Sequence, residues 1–202
     1  MVSEPITALT DFVLAAITAF WAIRVFRSSD QRASRLFALA LAATAMSTLF
    51  GGLYHTFPGQ AVWKATALSV GLVSFFLGLS IAVAFLSPPV TRLVRVILLI
   101  QLCVYAIAVL LSDDFWIVIV DYASVMVAIL IICVMRWSNA SVRWITTAIL
   151  ISFAASALQM SSIRVGPLNH NDIYHVVDVV ALYCFYRGGM VLSTERSSSR
   201  PT

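Results

Sequence analysis

The stretch SFFLGLSIAVAFLSPPVTRLVRVILLIQLCVYAIAVLL, Ser74 to Leu111, is two apolar runs split by Ser87-Pro88-Pro89. A helix that crosses a bilayer needs about 20 mainly apolar residues, and a proline pair ends one helix and opens the next. The stretch therefore reads as the end of one membrane span, a tight turn, and a second complete span from Val90 to Leu111. Applying the same criterion outward gives seven spans, at 6–26, 36–55, 63–86, 90–111, 115–135, 142–163 and 172–192. Turn residues separate them, among them Pro58-Gly59, Ser138-Asn139 and Gly166-Pro167. The expected fold is an all-α bundle of seven transmembrane helices, with residues 1–202 forming a single integral membrane domain. The first run begins at Ile6 with no basic segment before it, and reads as a retained helix and not a signal peptide.

Composition agrees with this reading. Apolar residues make up 61% of the chain and charged residues 11%, with a mean hydropathy of +0.96. A water-exposed surface does not tolerate such values. Cys103, Cys133 and Cys184 lie within apolar runs without metal-type spacing and read as buried small hydrophobes. The basic balance, with a pI near 9.3, is explained by anchoring to anionic lipid and not by nucleic-acid binding. Membrane lipids are thus the expected partners.

Lys and Arg are retained on the cytoplasmic side of membranes, and here their alternation is clean. Arg24, Arg27, Arg32 and Arg35 flank the first connection, Arg92 and Arg95 the third, and Arg136 and Arg143 the fifth. Arg187, Arg196 and Arg200 mark the C-terminal end, while the other side has Lys64 and Arg164. The N-terminus is expected outside and the C-terminus in the cytoplasm. The short loops favour a bacterial inner (plasma) membrane.

Ionisable groups inside a span are costly and mark function by default. Asp11, His55, Asp121, Asp172, His175 and Asp178 all fall toward the outer ends of their spans, with His170 just before the seventh. Neutral imidazole is a preferred zinc ligand, and three protein ligands leave a fourth position for water. Zinc bound in this way activates that water and polarises a carbonyl. The candidate metal ligands are therefore His55, His170 and His175, with Zn2+ as the cofactor. Asp172 and Asp178 are the candidate catalytic carboxylates, orienting an imidazole or accepting a proton. At about 100° per residue, Asp172, His175 and Asp178 share one stripe of the seventh span. His170, on another face, would join only if the helix began after it. Asp172 also fits a plainer role as a charge favourable to the helix dipole, with Asn169 or Asn171 as cap. Gly51-Gly52 fits close helix approach.

These residues carry a family resemblance. The segment Gly51-Gly52-Leu53-Tyr54-His55-Thr56-Phe57, followed by Gln60, looks like the second-span motif of alkaline ceramidases. Asn171-Asp172-Ile173-Tyr174-His175 looks like their seventh-span motif, in which two histidines stand four apart. Over these motifs and in span count the chain resembles the CREST superfamily of seven-helix membrane hydrolases, which includes the alkaline ceramidases and the adiponectin/progestin-receptor family. The resemblance implies zinc held by His55 and His175 and hydrolysis of a lipid amide or ester. Gly51 stands where that family has serine, Asn171 stands where it has the first histidine of the seventh span, and its aspartate after Gln60 is missing. The alternative is a non-enzymatic sensor, partner-binding protein or small transporter, in which Asp11, Asp121, Asp178 and the histidines form a proton-responsive cluster.

Overall fold

Each break in the apolar pattern becomes a helix end. The computed structural model describes residues 4–195, so Arg196 and Arg200 lie outside the described residues. Within these it has seven helices: α1 (Pro5–Ser28), α2 (Arg32–Thr56), α3 (Gln60–Phe85), α4 (Pro88–Leu111), α5 (Trp116–Met135), α6 (Ala140–Gln159) and α7 (His170–Glu195). All seven are long and apolar enough to cross a bilayer, so the chain is a seven-helix membrane protein. Pro5 and Pro88 stand in the first turns of α1 and α4, where a missing N–H costs nothing.

Two boundaries differ from the hydropathy reading by four residues, the others by less. Helix α2 starts at Arg32, four residues before the apolar run, because Arg32 and Arg35 continue the helix beyond the hydrocarbon. Helix α6 ends at Gln159 and not at Ile163. The residues after it form a loop in which Val165 and Leu168 pair by two backbone hydrogen bonds of 3.0 and 3.1 Å. Gly166 takes the left-handed φ of 57° that this tight turn requires.

Short connections make sequential helices antiparallel neighbours. Helix α1 packs on α2, α2 on α3, and α6 on α7, while α7 returns to lie against α1 and α2. Small residues on α2 (Ala33, Ala38, Ala40, Ala43, Ala45) are buried in these seams, and the Ser80 hydroxyl of α3 donates to the Ala33 carbonyl at 2.8 Å. Such close contacts and interhelical hydrogen bonds hold membrane bundles together. Helix α3 is the most enclosed span and α4 the least. Helix α4 exposes Leu93, Val96, Ile97, Ile100, Val104 and Ile107, a lipid-facing stripe. The bundle has two unlike ends. One carries the histidines, where α1, α3, α5 and α7 begin; the other carries most of the arginines.

Candidate functional site at the histidine end

Helix α1 brings Thr7, Thr10 and Asp11 onto one face, at the spacing i, i+3 and i+4 that lines up side chains along a helix. Thr7 and Asp11 are buried, as are Asp172, His175 and Asp178 of α7. The two helices are joined there. The Thr7 hydroxyl donates to Asp172 Oδ1 at 2.7 Å, and Thr10 Oγ1 lies 2.7 Å from His175 Nδ1.

The Asp11 carboxylate stands between two imidazoles. His175 Nε2 lies 3.3 Å from Asp11 Oδ1, and His55 Nε2 of α2 lies 3.9 Å from Asp11 Oδ2. The other nitrogen of His55, Nδ1, is 2.7 Å from Glu4 Oε2. His55 and His175, 120 positions apart in the chain, thus meet around a carboxylate from a third helix.

His170 does not join them. Asn169 caps α7, its Oδ1 accepting from the N–H groups of Asn171 at 2.8 Å and Asp172 at 3.0 Å, so the helix begins at His170. The condition on which His170 would join, a helix that begins after it, is thus not met, and five positions along a helix put the two rings roughly 140° apart. Asp172 is held by the same cap. One of its oxygens accepts from Thr7 and the other from the Asn169 N–H at 2.9 Å. Asp178 takes a long contact of 3.5 Å from the Ser152 hydroxyl of α6. Asp121 lies apart, on α5, where Gln101 of α4 donates to its Oδ1 at 2.8 Å.

A cavity of about 370 Å³ opens beside this cluster. Asp11, His55, His175 and Asp178 line its polar end, and Leu41, Leu77, Leu182, Phe37 and Phe185 line its depth toward the arginine end. Tyr122 of α5 and Phe153 of α6 form part of its wall, where α5 rests mainly on α3 and touches α6 lightly.

A zinc ion held by three imidazoles would need His170 in this cluster. Among the described residues, no group of three or more His, Cys, Asp or Glu side chains is arranged to hold a metal ion as it stands. The two imidazoles instead face different oxygens of the Asp11 carboxylate, His175 at Oδ1 and His55 at Oδ2.

Sequence reasoning found both histidines and, in the alternative of a proton-responsive cluster, set Asp11 with them, though together with Asp121, which lies apart. It missed Glu4, Thr7 and Thr10. The threonine-threonine-aspartate stripe on an otherwise apolar first helix was the signal available. No curated protein sequence and no solved structure matches the chain. The sequence model of the family of unknown function DUF6962 matches residues 6–194, nearly the whole described bundle, and the chain belongs to that family.

Proposed function

We propose that this protein binds an amphiphilic lipid inside the bundle and hydrolyses its amide or ester bond at the histidine end. The observation that carries the reading is one cavity whose lining joins Asp11, His55 and His175 at the histidine end to apolar side chains such as Leu77, Leu182 and Phe185. A volume of about 370 Å³ falls in the range of small-ligand sites. An acyl chain would fill the depth, and the polar linkage would rest against the three side chains. The light contact between α5 and α6 is the natural entry from the bilayer.

In the reaction a water oxygen attacks the carbonyl carbon and the bond to nitrogen or oxygen breaks. The Asp11–His175 pair takes the proton from the water and returns it to the leaving group, as a general acid–base pair within hydrogen-bond reach can. The resemblance to CREST hydrolases adds a zinc ion, whose contribution when bound is to polarise the carbonyl and activate the water. Apolar walls exclude bulk water from the linkage and strengthen each electrostatic contact there. On this reading the histidine end faces away from the cytoplasm, in a plasma membrane of bacterial type.

The test is to measure binding and turnover of a fluorescent long-chain N-acyl amide by the full chain in lipid nanodiscs. Thr44→Phe, which intrudes midway along the cavity wall, should abolish binding, and chelator should abolish turnover while binding persists. A wild-type protein that binds no amphiphile, or binds it equally well with Thr44→Phe, would overturn the reading.

A further inference from the structure

We infer that the cavity takes a lipophilic organic cation, an alkylammonium ion whose charge is held by Asp178 of α7 among aromatic rings and whose tail lies along the apolar walls. The inference goes beyond hydrolysis: it concerns which charge the cavity accepts, and it rests on a carboxylate to which the reaction described above gives no part.

Asp178 lies eight positions past the start of α7, about 12 Å along the helix. It is 8% exposed and lines the cavity. A carboxylate this deep in a membrane bundle is costly, and pairs with a cation or marks a ligand pathway. Among the described residues its polar contact is the Ser152 hydroxyl at 3.5 Å, longer than a good hydrogen bond. No Lys or Arg among them lines the cavity. Arg187, nine positions further along α7, is stacked over Trp144. Lys64, at the histidine end of α3, is spent on the last carbonyls of α4. His175, one turn before Asp178, has its ring nitrogens against Thr10 and Asp11. Asp11 adds a second carboxylate to the same lining, so apart from the two imidazoles the ionisable acids and bases of the cavity are acids.

The walls select the kind of cation. Tyr122 of α5 and Tyr174 of α7 stand within electrostatic range of Asp178, and both line the cavity, as does Phe153 of α6. Aromatic rings attract ammonium groups through their quadrupole, the more so where water is excluded. A metal ion wants several oxygen or imidazole donors at once, whereas this position offers one carboxylate and rings. A proton would neutralise Asp178 but would need no chamber. Here the carboxylate borders about 370 Å³ of space, room for an ammonium head and an alkyl tail. Tyr174, Asp178, Leu182 and Phe185 all line that space, at spacings of four, four and three that keep them on one stripe of α7. The charge thus stands directly at the top of the apolar part of the wall.

The experiment uses the full chain in phosphatidylcholine nanodiscs and measures binding of radiolabelled dodecyltrimethylammonium and of dodecanol, each corrected for uptake by empty discs. The quaternary ammonium keeps its charge at every pH, and dodecanol has the same tail without it. Wild type should bind the cation saturably and at least about tenfold tighter than the alcohol. Asp178→Asn, which keeps the shape and removes the charge, should lose at least about tenfold in cation affinity and keep that for the alcohol. Asp121→Asn, which alters a carboxylate outside the cavity lining, should bind the cation as wild type does. If Asp178→Asn fails to fold, the wild-type comparison still decides, together with Tyr122→Leu, which should weaken the cation by about three- to tenfold and spare the alcohol. A wild type that binds the cation no tighter than the alcohol, Asp178→Asn with wild-type cation affinity, or Asp121→Asn as defective as Asp178→Asn would each overturn the inference. Binding of the N-acyl amide with refusal of the cation overturns it and leaves the hydrolytic reading standing. Binding of the cation with refusal of the amide supports it and sinks the hydrolytic reading alone.

Discussion

Asp172 is three positions past Asn169, and each side chain bonds the other's backbone N–H. This reciprocal arrangement satisfies donors that a helix start otherwise leaves orphaned, and the Thr7 hydroxyl ties it to α1. Both oxygens of Asp172 are thereby spent on holding the start of α7. Asp172→Ala should cost about 1–3 kcal/mol, since it strands a buried hydroxyl and a backbone donor. Denaturant or thermal unfolding in detergent would measure the loss. His55 and His175 were legible because an imidazole in an apolar run is conspicuous. Their partners were not, since Thr10 and Glu4 are ordinary residues until folding sets them beside rings far along the chain. The place of His170 turned on where the helix starts, and hydropathy does not reveal whether Asn169 or Asn171 caps it.

At the scale of helices, the seam between α3 and α4 shows how a peripheral span is held without many buried side chains. Gly71 leaves room for Tyr105, whose ring carbon lies 2.5 Å from where a Cβ would be, and the Tyr105 hydroxyl donates to the Ala67 carbonyl at 2.6 Å. Gly71→Leu should force the seam apart and cost about 1–3 kcal/mol. Tyr105→Phe should cost about 1 kcal/mol through the lost hydrogen bond. Unfolding of the two variants against wild type checks both. Lys64 gives the other end of α4 its cap, its Nζ donating to the carbonyls of Val109 at 3.2 Å and Leu110 at 2.6 Å. The Ser87-Pro88-Pro89 break was readable to within a residue or two, because proline excludes the alternative. The end of α6 was less so, since the loop that follows it contains Ile163, Val165 and Leu168 and resembles more span.

For the molecule as a whole, the count of helices and their antiparallel order followed from hydropathy, while the cavity did not, because it arises from how α2, α3, α5, α6 and α7 lean on one another. Orientation is testable directly. In a background with Cys103, Cys133 and Cys184 replaced by Ala, a cysteine at the exposed Ser138 should react with an impermeant maleimide only from the cytoplasmic side. One at the exposed Gly59 should react only from the other; the reverse pattern would invert the assignment. Arg187 would then anchor the cytoplasmic interface, stacked 5.1 Å over the Trp144 ring and hydrogen-bonded to the Tyr183 hydroxyl. The Thr7–Asp172 tie spans 165 positions. At ribosomal speeds of about 5–20 residues per second, α1 waits roughly 10–30 s for its partner to emerge. Throughout that interval a nascent helix bearing Asp11 must persist among lipids or a biogenesis factor, so a translation arrest before residue 170 should leave a membrane-inserted intermediate with no site and heightened susceptibility to quality-control proteolysis.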